Sequence, residues 1–445
     1  EFTLDFGHYD VRITVPADHI VAATGELQNS MEVLTKSQVD RFKKSKSSPE
    51  PVIIITQDEA EQNEKSRSNK FKTWRYKAKN VRDFAFTSSR KFIWDAMGVK
   101  LGNRTVMAMS YYPKEANPLY ERYSTRAVAH TLRAYSKYTF DYPYPVAISV
   151  EASNGMEYPM ICFNYGRPEK DGTYTERTKY GMISVIIHEV GHNYFPMIVN
   201  SDERQWTWMD EGLNSYLQFL TEQEWDREYP SWRGPPKNIV NYMKGDKNNL
   251  APIMTNSESI YQFGNNAYGK PATALNILRE TVVGRELFDF AFKEYSKTWM
   301  FKHPTPSDFF RILENASAVD LDWFWRGWFY GTDPVDLSID KVTWFSLDSK
   351  NPEIEFPLKK QKKDEEPIQT WQESNKIDIQ ETVIETDEMA NDFYDKFDPY
   401  EVTILDKQEF NTYRDSSVVE PREKEIYNSN LNYYEINNMW CRCSR

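Results

Sequence analysis

Cysteine is scarce: Cys162, Cys441 and Cys443 are the three in 445 residues, and two of them crowd the last five positions. A disulfide-stapled scaffold is therefore excluded, and cysteine usage does not assign a redox compartment. No apolar run approaches the ~20 residues of a membrane-spanning helix; the longest are short pieces such as Val52–Ile55 and Met182–Ile187. Positive charge is in deficit, 55 Lys plus Arg against 67 Asp plus Glu, a net −12. With no Lys/Arg-rich block, neither a nucleic acid nor an anionic membrane is expected as the main partner. Glycine ends at Gly331, so the remainder lacks ready positive-φ positions for tight turns and is expected to be helix or extended linker. The chain starts at Glu1 without Met and without a basic-then-apolar leader, which reads as a leader removed or a non-natural start; a periplasmic or secreted location is expected over a cytoplasmic one.

Aromatic residues are plentiful, with 28 Tyr, 25 Phe and 13 Trp. That excludes a wholly disordered chain and is enough for two or three cores. The charge is uneven. Gln361–Arg445 holds 20 acidic and 10 basic residues, hence ten of the twelve excess negative charges, and reads as an acidic, solvated linker.

Residues 1–97 read as β structure. Tyr9–Pro16 alternates with period two, and Ile20–Leu27 and Pro51–Thr56 are expected strands, with a helically spaced polar excursion at Met31–Ser48. Residues 98–334 open with a strand at Val106–Tyr111, a helix at Leu119–Tyr138 and a strand at Pro145–Val150. Helical spacing follows at Tyr180–Tyr194, Met209–Gln223, Ala267–Val283, Arg285–Trp299 and Pro306–Ala316. The run Trp323-Phe324-Trp325 with Trp328 and Phe329 reads as helix packing. Residues 335–445 begin with a strand signal at Val335–Phe345 and hold another at Asn430–Ile436. The class is α+β, in several domains.

Two of the six histidines stand in His188-Glu189-Val190-Gly191-His192. Four helical residues turn the chain by about 400°, so both imidazoles leave one face and can share one metal ion. Glu189 lies beside that face, in reach of a water as general base. Catalytic zinc takes three protein ligands and leaves one position open. Glu211, in Trp208-Met209-Asp210-Glu211-Gly212 at the start of another helical stretch, supplies a third, and Gly212 is expected to let the two helices pack closely. His8, His19, His130 and His303 have no second donor at useful spacing.

The pattern resembles that of the gluzincin metallo-aminopeptidases, the aminopeptidase N family. Asn154-Gly155-Met156-Glu157-Tyr158 is similar to the family's Gly-x-Met-Glu-Asn exopeptidase motif, and Tyr268-Gly269-Lys270-Pro271 to its Tyr-x-Lys-Gly. Asn154, Tyr158 and Pro271 depart from the pattern. The resemblance implies a thermolysin-like catalytic domain over 98–334, a partial N-terminal β domain over 1–97, and a C-terminal region over 335–445 that ends in a truncated β strand. It implies one zinc per chain on His188, His192 and Glu211, Glu189 as base and Tyr268 as oxyanion donor. Gly155, Met156 and Glu157 then bind the substrate, with Glu157 on its free α-amino group, and the partners are peptides with a free N-terminus. The altered amine motif also admits a zinc endopeptidase or another hydrolase on the same scaffold. A catalytically inactive scaffold homologue requires a lost ligand or base, and none is lost. The chain is expected to begin inside one β domain and to stop at the first strand of another; Met439–Arg445 reads as a frame error or cloning scar.

Overall fold

The computed structural model describes residues 3–333, 348–392 and 397–418, and the backbone of the strands Val342–Ser346 and Asn432–Ile436. Part of each expected strand at Val335–Phe345 and Asn430–Ile436 lies outside the described residues, as does all of Met439–Arg445. By compactness the chain divides into Glu1–Asp333 with Ser374–Asn391, and Pro334–Glu373 with Asp392–Arg445.

The strands of the first unit are β1 (Gly7–Pro16), β2 (Ile20–Ala23), β3 (Glu26–Leu27), β4 (Val52–Ile55), β5 (Phe71–Val81), β6 (Phe86–Ser89), β7 (Ile93–Leu101), β8 (Arg104–Tyr112), β9 (Val146–Glu151), β10 (Met156–Tyr158) and β11 (Ile161–Asn164). Its α-helices are α1 (Ser30–Val33), α2 (Lys36–Ser45), α3 (Gln57–Ser66), α4 (Thr125–Tyr138), α5 (Glu176–Gly191), α6 (Glu211–Trp225), α7 (Pro236–Met243), α8 (Lys270–Ile277), α9 (Arg285–Thr298), α10 (Pro306–Ser317) and α11 (Asp322–Trp328).

The period-two stretch forms β1, antiparallel to β5, with Ile13 opposite Trp74 and Val11 opposite Tyr76. Ile20–Leu27 is two strands, not one: β2 pairs with β6, and β3 with β5. Gly25 breaks it, with φ +98 and a position where a Cβ would stand 2.4 Å from the Lys77 carbonyl oxygen, so only glycine fits the turn. A six-stranded sheet in the order β10-β11-β9-β8-β7-β4 follows. Helices α4 and α5 pack on its strands, and β10, with Met156 and Glu157, is an edge strand.

Helix α5 begins earlier than its apolar spacing suggests, because the Thr175 hydroxyl caps it by accepting from the Thr178 amide. The stretch expected as one helix over Ala267–Val283 is a π turn at Gly264–Gly269, α8, and a second π turn at Leu278–Val282. The aromatic run is packing except at Trp323, which is exposed. Phe324, Trp325 and Phe329 are buried, and Trp325 stacks on Phe310 at 4.5 Å. Within the acidic stretch, Ser374–Asn391 belongs to the first unit: Asp378 pairs with Arg285 at 2.6 Å, Asp387 with Arg126 at 2.7 Å, and Glu385 with Arg227. In the second unit the strands Val342–Ser346 and Asn432–Ile436 pair antiparallel. No helix among the described residues is long and apolar enough to cross a membrane.

The sheet and α4 meet at a buried acid. Asp95 on β7 accepts from the Tyr112 hydroxyl at 2.7 Å and from the Thr125 hydroxyl. Burial pushes its carboxyl up to about 7. A carboxyl raised by folding favours the protonated native state, so its stabilisation is complete below the ordinary Asp value and is lost as pH rises through about 7. Asp95→Asn keeps the shape without the ionisation. Denaturant unfolding at pH 5 and pH 8 should show the native chain losing more stability over that range than the variant; equal losses would reject the assignment.

Candidate functional site

Three elements bring the site together. Helix α5 ends at His188, Glu189 and Gly191, with His192 as its C-cap. Glu211 is the first residue of α6, and Tyr268 lies in the π turn that leads into α8. The helices approach closely at Gly191, where a Cβ would lie 2.2 Å from the Tyr135 hydroxyl of α4 and 2.3 Å from Asn214 Oδ1 of α6. Asn214 Nδ2 donates to the His188 carbonyl at 2.8 Å, and the Tyr135 hydroxyl donates to Asn214 Oδ1 at 2.8 Å. The role expected of Gly212 is thus corrected: it faces Pro271, whose Cγ would be 2.6 Å from an added Cβ, and lets α6 meet the Tyr268 segment. The α5–α6 approach belongs to Gly191.

His188 Nε2 lies 3.0 Å from His192 Nε2 and 3.0 Å from Glu211 Oε2, and His192 Nε2 lies 3.4 Å from that same oxygen. Donors about 2.0–2.1 Å from a tetrahedral zinc stand about 3.3 Å apart. The Nδ1 atoms face acceptors: His188 Nδ1 is 2.8 Å from Gln218 Oε1, and His192 Nδ1 is 2.9 Å from both Asp210 Oδ1 and the Phe195 carbonyl. With the protons on Nδ1, both Nε2 lone pairs aim with Glu211 Oε2 at one point, an arrangement that repels itself without a cation. These residues fit a zinc ion. A second group of possible donors, Glu157, His192 and Asp210, shares His192, but His192 Nδ1 in that group is already turned to Asp210 and the Phe195 carbonyl.

The surrounding acids place a strong demand for positive charge at the same point. Burial alone would lower His192, yet Glu157, Asp210 and Glu211 outweigh it and hold it well above its ordinary value. His188 is lowered by burial and by His192. Burial pushes the Glu189 carboxyl up to about 8, and its Oε2 has no hydrogen-bond partner. Gly155 sits against Glu189, where a Cβ would lie 2.4 Å from Oε1. Glu157 opposes Cys162 across β10 and β11 and has a carboxylate oxygen within 4.8 Å of both His192 and Asp210. Its charge, along with burial, raises Asp83 and Glu203, of which Glu203 pairs with Arg82 at 3.1 Å. Met156, also on β10, is 38% exposed at the mouth of this acidic corner.

The Tyr268 hydroxyl donates to Glu211 Oε1 at 2.6 Å, on the carboxylate oxygen the histidines do not share. Its ring stacks on the His188 imidazole at 5.7 Å, and the Arg233 guanidinium lies over it, 4.0 Å from the ring centroid. Lys270 of the same motif is buried and donates to the Gly331 carbonyl at 3.0 Å. A cavity of about 730 Å³ opens beside His188, Glu189 and Tyr268. The remaining histidines have other partners: His8 faces the Asn80 amide, His19 the Ser88 hydroxyl, His130 the Thr221 carbonyl and His303 the Asn200 carbonyl.

Sequence reasoning passed over Asp210, Gln218, Asn214, Tyr135 and Arg233. Gln218 stands seven residues after Glu211, two turns along the same face of α6, a signal that was legible. Tyr135 and Arg233 carry none.

Residues 123–328 match the model of the peptidase family M1 domain. The chain is 28% identical over 144 residues to the glutamyl aminopeptidase of Sus scrofa, a match covering 31% of this chain and 15% of that protein. It is 25% identical over 224 residues to the leucyl aminopeptidase of Saccharolobus solfataricus, covering 46% and 28%. These matches span less than a third of the curated relatives' length. The fold is similar to that of an M1 zinc metallopeptidase from Deinococcus radiodurans, with TM-score 0.51 at 18% identity, covering 76% of this chain and 65% of that one.

Gly155→Ala should push the Glu189 carboxylate aside. Because misplacement by about 1 Å can cost about 100-fold, turnover is expected to fall by about that factor, with bound metal unchanged. A fully active variant would sever Gly155 from Glu189.

Proposed function

We propose that this chain, which carries a peptidase family M1 domain over residues 123–328, is a zinc-dependent aminopeptidase removing the first residue from peptides with a free N-terminus. The observation that carries this is the convergence of His188 Nε2, His192 Nε2 and Glu211 Oε2, at mutual distances of 3.0–3.4 Å, beside Glu189 and the acidic corner at Glu157. One zinc ion on these three residues would supply a Lewis acid and lower the pKa of a water towards about 7.

The remaining work falls to the chain's own groups. Glu189 is buried beside the metal donors, and its Oε2 is free of hydrogen bonds. It takes the proton of the attacking water on its free Oε2 and hands it to the leaving amine. The Tyr268 hydroxyl turns from Glu211 to donate to the developing oxyanion, a contribution of about 3 kcal/mol for one such donor. Its ring is held by His188 and Arg233, so the phenol oxygen stays in place while the O–H bond rotates. Glu157, in a neighbourhood with several carboxylates, binds the substrate ammonium and fixes which peptide bond lies over the metal site.

Glu189→Gln should lower kcat by about 100- to 10,000-fold while metal analysis still finds one zinc per chain; turnover at the native rate would reject Glu189 as the base. Glu157→Ala should lower kcat/KM on unblocked peptides by about 10- to 100-fold, the value of a charge-assisted contact. If N-acetylated peptides are cut as fast as free ones by the native chain, the endopeptidase reading replaces this one.

A further inference from the structure

The cavity beside the metal donors runs along the α5 and α6 faces through Ser184, Gln218 and Glu222. Glu157 does not line it. With the substrate amine at Glu157 and its first carbonyl at the metal donors, the residue on the leaving side of the scissile bond enters this cavity.

Arg233 lines it next to Tyr268. The backbone on both sides of Arg233 is pinned: Asn238 Nδ2 donates to the Trp232 carbonyl at 3.1 Å, and Asn276 Nδ2 to the Gly234 carbonyl at 3.2 Å. Gly234, at φ +100, packs where a Cβ would stand 2.4 Å from the Phe219 ring. The guanidinium lies over the Tyr268 ring, but among the described residues it has no hydrogen bond or ion pair. A ring face uses none of its five N–H donors in the plane of the fork.

Two buried acids line the cavity, Glu189 and Glu222; both act on Arg233 as charges, neither is hydrogen-bonded to it among the described residues, and Glu222 is already engaged. Glu222 Oε1 accepts from Ser184 and Gln218 at 2.9 and 2.8 Å, and its Oε2 from Ser231 at 2.5 Å. Glu176 and Glu228 line the cavity from exposed positions. A half-buried guanidinium with an open fork can take a carboxylate from a ligand.

We propose that Arg233 reads a carboxylate on the leaving side of the scissile bond, making peptides with a negative group at the second residue the favoured substrates. That group is either the α-carboxylate of a dipeptide or the side chain of Asp or Glu in second place. The assignment rests on the aminopeptidase reading above.

The experiment compares kcat/KM for Leu-Ala, Leu-Ala amide, Leu-Asp amide and Leu-Asn amide, using the zinc-loaded full chain and its Arg233→Gln and Arg233→Lys variants. The native chain should favour the carboxylate member of at least one pair, Leu-Ala over its amide or Leu-Asp amide over Leu-Asn amide, by about 10- to 100-fold. Arg233→Gln should bring that ratio close to one, and Arg233→Lys should keep part of it, as a point charge without the fork. A preference in the first pair identifies the α-carboxylate, and one in the second the side chain. Four substrates cut at similar rates by the native chain would overturn the role of Arg233 and leave the aminopeptidase reading standing. So would an Arg233→Gln variant that slows all four equally, which would mark Arg233 as a support for Tyr268. No hydrolysis of any of them would overturn the aminopeptidase reading itself.

Discussion

Three helices can bring two imidazoles and a carboxylate to one point only if their backbones come closer than side chains normally permit. Gly191 is where that happens: the Tyr135 hydroxyl of α4 and Asn214 of α6 occupy the space a Cβ would need. From this contact Asn214 reaches the His188 carbonyl, so the end of α5 is tied to the start of α6 within one turn of Glu211. The 3.0–3.4 Å spacing of the donor atoms follows from that join. Anything larger than glycine at 191 would drive α5 off both neighbours and spread the donors.

Charge is arranged around the same point. Asp210, Glu211, Glu157 and Glu189 converge with His192 as the nearest counter-charge, and that imidazole is pushed towards its cation as a result. Such a concentration of buried acids is costly unless a positive ligand answers it. The Nε2 and Oε2 atoms would hold a metal ion, and in the proposed reaction a substrate ammonium sits at Glu157. On the far side Arg233 is held over Tyr268 and, among the described residues, makes no ion pair. In the proposed reaction a peptide would lie with its ammonium at Glu157 and its leaving side towards Arg233.

The sheet sets where the substrate groups stand. Its edge strand β10 carries Glu157 towards His192, with Gly155 just before it against Glu189, while α5, packed on the same sheet, carries His188 and Glu189 and is capped by His192. The relative position of Glu157 and Glu189 is therefore decided by the packing of α5 on β9, β10 and β11, while Asp95, Tyr112 and Thr125 join the sheet to α4.

The sequence by itself determined the local parts. His188 and His192 share a face because four residues make just over one helical turn, and β1 was visible in its period-two alternation, since both patterns arise within a few residues of chain. The place of Gln218 on the Glu211 face was legible on the same ground. What tertiary structure decided was everything that depends on contact between distant segments. The break at Gly25 is imposed by the Lys77 carbonyl, the close approach of α5 and α6 belongs to Gly191 and not Gly212, and Ser374–Asn391 is drawn onto the first unit by Arg126, Arg227 and Arg285. Tyr135 and Arg233 reach the site from loops and helices with no motif around them. Periodicity records which face of an element is apolar; it holds no information about which residue of another element will meet that face, because that is settled by packing.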